Sequence, residues 1–217
     1  MAKAILVEAC VDSVESARAA ERGGADRLEL CDNLVEGGTT PSAGMIAECR
    51  THVRIPIYVM IRPRGGDFLY SPVELEVMVR DIALARELGA DGVVFGMLTN
   101  AGKVDRKRTA RFVNLSYPLD VTFHRAIDVS RDPLEALEVL VDAGVDRVLT
   151  SGGAAKALAG SRVIAAMVKF LEGGRGQSRA CPPNRRSPAV SCGSLRTCCF
   201  NRVKNGAKCW GRFGKSP

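Results

Sequence analysis

Gly24-Ala-Asp-Arg-Leu-Glu-Leu-Cys31 decides the fold, because the chain uses its plan again in Gly89-Ala-Asp-Gly-Val-Val-Phe-Gly96 and in Gly144-Val-Asp-Arg-Val-Leu-Thr-Ser151. In each copy a helix ends on glycine, an Asp follows two residues later, and a buried strand begins. On either side, short β-rich runs alternate with longer helical ones. Strands are predicted over roughly 4–10, 26–31, 56–62, 91–95, 119–124 and 145–150, and helices over roughly 13–23, 42–51, 72–88, 104–113, 132–143 and 154–170. Asp12, Thr40-Pro41, Ser71-Pro72 and Asp132-Pro133 sit where helices should start.

Strand–helix units joined by short connections predict a parallel sheet with crossover helices. Repetition of one such module predicts an α/β fold of the TIM-type (β/α) barrel, incomplete, with about six of the eight units. An open doubly wound sheet is the rival, but no G-x-G-x-x-G follows the first strand.

The chain changes character near residue 170. Of 31 Lys/Arg and 24 Asp/Glu, ten basic residues and one acid, Glu172, lie in the last 47 residues. The net charge of +7 is thus about −2 for the first segment and +9 for the last. Residues 1–170 are read as the barrel domain and 171–217 as a basic, cysteine-containing tail. Leu, Ile, Val, Phe and Met supply only six of those 47 tail residues, too few to bury a core, so the tail is expected to be disordered. It has no histidine and no C-x-x-C pair, which argues against a zinc finger. Sparse aromatics and the absence of a recognisable module argue against nucleic acid as a partner. No apolar run reaches the length of a membrane span. The N-terminus turns acidic too early for an export signal, so the expected location is the cytoplasm, where thiols stay reduced.

Side-chain alternation assigns the strand faces. If Leu28 and Leu30 meet the helices, Glu29 and Cys31 point into the barrel. The same logic turns Ile5, Val7 and Ala9 outward and Leu6, Glu8 and Cys10 inward. It places Tyr58, Met60 and Arg62 inside on the third strand, and Thr122 and His124 inside on the fifth. Two constellations result. The first is a duplicated Glu-x-Cys, Glu8-Ala-Cys10 and Glu29-Leu-Cys31, on neighbouring strands. Two inward thiols suit a soft ion such as Cu(I), and Met60 can add a weak thioether. The competing reading makes them small buried hydrophobes. The second constellation is a charged mouth of Glu8, Glu29, Arg62, His124, Arg125 and Asp128. It suits a barrel enzyme acting on a small anionic metabolite, with Glu8 or Glu29 as base, His124 as acid and Arg62 as anion clamp. The competing reading is a buried ion-pair network. Arg64, in the loop Arg62-Pro-Arg-Gly-Gly-Asp67, is a further anion-binding candidate. Cys49 reads as core and His52 as surface.

Leu6-Val-Glu-Ala-Cys-Val-Asp-Ser13, Gly23-Gly-Ala-Asp-Arg-Leu-Glu-Leu-Cys31, Glu36-Gly-Gly-Thr-Thr-Pro-Ser42, Met60-Ile-Arg-Pro-Arg-Gly-Gly-Asp-Phe68, Phe123-His-Arg-Ala-Ile-Asp128 and Leu149-Thr-Ser-Gly-Gly153 together resemble the CutC copper-homeostasis family. The resemblance covers about residues 3–170. It implies a TIM-type barrel, a cytoplasmic location and a role in copper tolerance or trafficking. It also implies that Cys10 and Cys31 correspond to the family's proposed Cu(I)-binding cysteines, with copper as the bound metal. The family continues with seventh and eighth strands, whereas the sequence after Leu171 leaves that pattern, as a shifted frame or divergent splice end would. Unpaired edges on the first and sixth strands are then expected to lower stability and to favour self-association.

Overall fold

The computed structural model describes residues 6–172. The basic tail beyond them, with its expected disorder and its cysteines, and the outward placement of Ile5 lie outside the described residues. Six strands and six helices alternate: β1 (Glu8–Val11), α1 (Val14–Arg22), β2 (Arg27–Leu30), α2 (Ala43–His52), β3 (Ile57–Met60), α3 (Pro72–Glu87), β4 (Gly92–Phe95), α4 (Arg106–Ser116), β5 (Asp120–Phe123), α5 (Pro133–Ala143), β6 (Arg147–Val148) and α6 (Ser161–Glu172). Two 3-10 turns, Leu34–Glu36 and Arg125–Val129, follow β2 and β5. The strands form one parallel sheet in the order β1-β2-β3-β4-β5-β6. This is the curled sheet of an incomplete (β/α) barrel, and among the described residues β1 and β6 are its two ends.

The Asp of the repeated motif has a structural task. Asp26 accepts a hydrogen bond from Val7 N–H at 2.6 Å, Asp91 from Ile57 N–H at 2.8 Å, and Asp146 from Val121 N–H at 2.8 Å. Each of these Asp residues also donates its own N–H to the carbonyl of the same partner. Each copy thus clamps the start of one strand to the start of the preceding one, satisfying both backbone groups where the ladder begins. Gly24, Gly89 and Gly144 turn the chain from helix to strand with φ of +85°, +83° and +79°, conformations that a Cβ disfavours.

The face toward the helices holds Leu28, Leu30, Ile57, Val59, Val93, Phe95, Val121 and Phe123, all essentially buried in one apolar cluster. Each such side chain contributes roughly 1.5–3 kcal/mol. Several boundaries differ from expectation. Ser13, not Asp12, caps α1, and Ser42, not Thr40, caps α2, because these serines reach the N–H groups of Ser16 and Met45. Helix α6 begins at Ser161 rather than near 154. Before it the chain turns at Gly152, which has φ of +68° and packs against Gly160 so closely that a Cβ would lie 2.3 Å from the Gly160 carbonyl oxygen.

Replacing Asp91 by Ala strands the buried Ile57 N–H and releases Arg50, which donates to Asp91 at 2.9 Å. Urea denaturation is expected to show a loss of about 1–3 kcal/mol. An unchanged midpoint would contradict the clamp.

Candidate functional site

The inner face of the sheet is built in tiers. Register places Cys10 opposite Glu29, Glu29 opposite Tyr58, Tyr58 opposite Gly92, and Gly92 opposite Asp120. Cys10, Cys31, Tyr58, Met60 and Val94 form a separate buried cluster on this face. The sulfurs of Cys10 and Cys31 lie 3.7 Å apart. Glu29 Oε1 lies 3.6 Å from the first and 3.7 Å from the second. Neither thiol, nor that of Cys49, is in a disulfide. Cys10, Glu29 and Cys31 are a potential metal-ligand set, with one donor atom each, all within 4.8 Å of one another.

Burial, reinforced by the nearby charge of Glu8, raises the Glu29 carboxyl from its ordinary 4.5 to about 7. The neighbouring thiols and Arg27 act in the opposite direction. Glu29 Oε2 is buried without a hydrogen-bond partner, an open acceptor in an interior where such atoms are rare. Cys49 contrasts with these residues. It packs among the core apolar side chains, and burial pushes its thiol up to about 11.

A loop closes over the thiols. At Gly38, φ is +88°, and a Cβ there would stand 3.1 Å from Cys31 Sγ. The loop is held by Arg62, whose guanidinium donates to the carbonyls of Glu36 at 2.9 Å, Gly38 at 3.0 Å and Gly66 at 2.8 Å. Arg62 is only 2% exposed and lies 5.0 Å from the Phe68 ring. Its expected role as an anion clamp is therefore corrected, because both Nη groups are turned to backbone oxygens and Nε is buried without a partner. The role of Arg64 is corrected too. It pairs with Glu74 at 2.5 Å and Asp67 at 3.0 Å, and donates to the Leu69 carbonyl at 2.7 Å.

Glu8 is also corrected. It stands at the first position of β1, ion-paired with Arg27, at the end of the sheet opposite the strand-end loops. Arg27 and Arg147 flank the Tyr58 ring at 4.7 and 5.3 Å, and the Tyr58 hydroxyl donates to Asp120 at 2.7 Å. This ionic floor was missed. Arg27 could have been found, being two residues before Glu29 on the same face. Arg147 and Asp120 lie on strands whose inward partners only the register reveals.

His124 does point inward, but it does not join Glu29 in a shared mouth. Its ring leans across β4 at Gly96, where a Cβ would lie 2.5 Å from Nδ1, and packs 4.9 Å from Phe68. Nδ1 accepts from Ala126 N–H at 3.2 Å, which leaves the proton on Nε2. Burial, then the charge of Arg62, lowers the imidazole to about 3. A ring neutral near pH 7 does not carry the charge of an imidazolium. Arg125 and Asp128 do meet, at 2.8 Å, and Asp128 also receives the Thr150 hydroxyl at 2.6 Å and Gly153 N–H at 3.0 Å. Burial would raise the Asp128 carboxyl, but the hydrogen bonds from Thr150, Arg125, Gly153 and Ser151 bring it below the usual range. This pair anchors the loop after β6 and takes no part in the thiol cluster.

The fold and site define a (β/α)-barrel protein of TIM type with a buried thiol–carboxylate cluster inside its first two strands. The CutC family model matches residues 5–175, and the chain belongs to that family. It is 54% identical over 172 residues to the Homo sapiens copper homeostasis protein cutC homolog, covering 79% of this chain and 63% of that relative. The chain thus spans less than two thirds of that relative's length. A family protein CutC of Chromobacterium violaceum is 49% identical over 170 residues, covering 78% of this chain and 68% of that protein. The crystal structure of CutC from Streptococcus agalactiae superposes with a TM-score of 0.74 at 35% identity, covering 79% of this chain and 85% of that one. Dihydrodipicolinate synthase DapA-2 of Bacillus anthracis, with a TM-score of 0.57 and 13% identity over 86% of this chain and 63% of that one, shares the fold alone.

The Glu29 carboxyl binds its proton more tightly folded than unfolded. Its contribution to stability is therefore complete below about 4.5 and is lost as pH rises through about 7. His124 runs the other way, with a contribution complete above about 6.5 and lost as pH falls toward 3. Comparing the metal-free parent with Glu29→Gln isolates the first term. Parent stability minus variant stability is expected to fall by about 3 kcal/mol between pH 4 and pH 8 in urea denaturation. A pH-independent difference would contradict the buried, proton-retaining carboxyl.

Proposed function

We propose that the chain serves copper homeostasis by binding Cu(I) through the thiolates of Cys10 and Cys31, with Glu29 beside them. The observation that carries this reading is the convergence of two sulfurs and a carboxylate oxygen within 3.7 Å in a buried cluster. Thiolates are the donors that favour Cu(I), and the buried Met60 in the same cluster adds to its soft character. With metal–sulfur bonds of about 2.3 Å, sulfurs 3.7 Å apart subtend a bent angle rather than a linear one. A third donor then completes the set, and Glu29 is the polar group placed for it. The names of the human and bacterial relatives support the copper assignment. A reducing compartment such as the cytoplasm is the setting in which both sulfurs stay available.

The acid–base alternative has fewer members than the sequence suggested. Arg62 is committed to backbone carbonyls, His124 is held neutral, and Glu8 is paired at the other end of the sheet.

Titration of the reduced chain with Cu(I), buffered by a competing chelator and with Cys181, Cys192, Cys198, Cys199 and Cys209 replaced by Ser in parent and variants alike, is expected to show one saturable site. The Cys10→Ser, Cys31→Ser double variant should lose it, and Glu29→Gln should weaken it by about ten- to hundredfold. Undiminished binding by the double variant would refute the assignment.

A further inference from the structure

A concavity lies apart from the thiols, at the carboxyl ends of β3, β4 and β5. It has a volume of about 430 Å³ and is formed by the loops after β3 and β4 and by the 3-10 turn after β5. That is the end of a (β/α) barrel where ligands bind, and the size is that of a small-molecule site. Its walls are largely apolar: Phe68, Leu69, Leu98 and Val129. Leu69, at 37%, and Val129, at 64%, are unusually exposed for such side chains. Three charged groups line it, Asp67, Arg125 and Asp128.

The hydrogen-bond inventory of these groups decides what the cavity can recognise. Asp128 Oδ1 already receives the Thr150 hydroxyl and the N–H groups of Ser151 and Gly153 at 2.6, 3.0 and 3.0 Å. Its Oδ2 receives Arg125 Nε at 2.8 Å and the Ser151 hydroxyl at 2.9 Å, and shares the Ser151 N–H at 2.9 Å. Five donors leave that carboxylate no room to accept from a ligand. Asp67, at the rim, is occupied by Arg64 at 3.0 Å and Leu69 N–H at 3.1 Å through Oδ1. Arg125 donates through Nε to Asp128, and through Nη2 to Ser151 Oγ at 2.6 Å and to the Ala154 carbonyl at 3.3 Å. Nη1 makes no hydrogen bond among the described residues. Asp128 and the loop after β6 thus fix the guanidinium in place while leaving one edge of it open. A guanidinium held from behind is pre-organised to receive a planar oxyanion.

We propose that this cavity binds a small molecule with a flat apolar body and a single carboxylate. The body lies against Phe68, Leu69, Leu98 and Val129, and the carboxylate is received by Arg125 Nη1. The site is independent of the copper assignment, since it shares no residue with the thiol cluster.

Calorimetric titration of the metal-free full chain with 2-naphthoate tests this, with 2-naphthamide and 2-naphthylmethylamine as the neutral and cationic counterparts. The carboxylate should bind at least about tenfold more tightly than the amide, and the amine should not bind detectably. Arg125→Met should weaken naphthoate by at least about tenfold, but it also loosens the loop after β6. Val129→Trp therefore serves as the second variant. It fills the cavity from an exposed position, leaves that loop intact, and should abolish binding. The proposal is overturned if naphthoate fails to bind up to its solubility limit, if Val129→Trp binds it as the parent does, or if the amine binds as well as the carboxylate.

Discussion

The pairing of β1 with β2, with Cys10 opposite Glu29, is the constraint on which the candidate metal centre depends. In parallel strands a slip of one residue turns every side chain to the other face. Here it would drive Leu28 and Leu30 into the interior and bury Glu29 among the helices. The apolar layer around those leucines and the Asp26 clamp at the start of the pair hold the register from two directions. The copper reading is thus tied to the forces that make the fold, not to a loop added to it.

Within the barrel, two glycines, Gly92 in β4 and Gly96 just after it, shape the tiers. At Gly92 an added Cβ would stand 2.3 Å from the Tyr58 ring, and at Gly96 it would stand 2.5 Å from His124. Each glycine lets a ring from one neighbouring strand cross toward the other. Tyr58 crosses to reach Asp120, and between Arg27 and Arg147 it forms an ionic floor beneath the thiols. Above them, Arg62 draws three carbonyls from two loops onto one guanidinium, closing a roof over Cys31. Floor and roof keep bulk water from the sulfurs, so the desolvated Glu29 holds its proton until a cation or base removes it.

How much of this was legible follows from what alternation encodes. A period of two assigns a face, and it correctly turned Cys10, Glu29, Cys31, Met60 and His124 inward. It does not assign height or partner. Glu8 and Glu29 share a face but occupy different tiers, and of the two only Glu8 is ion-paired with Arg27. Arg62 and Arg64 looked available because arginines in a glycine-rich loop after a strand resemble an anion site. Their partners are backbone carbonyls and a distant Glu74, which carry no signal in residue identity. The repeated Gly-x-Asp was visible as a pattern, but its meaning was not, because each Asp reaches a strand that begins many residues earlier. The helix caps moved by one or two residues where a serine competed with an Asp or Thr beside it.

The central claim is that both sulfurs and the Glu29 carboxylate form one coordination sphere. X-ray absorption at the copper edge, on the reduced chain with Cys181, Cys192, Cys198, Cys199 and Cys209 replaced by Ser and carrying one equivalent of Cu(I), measures that sphere directly. Two sulfur scatterers and one light oxygen scatterer are expected. A shell with no sulfur, or with a single one, would contradict it.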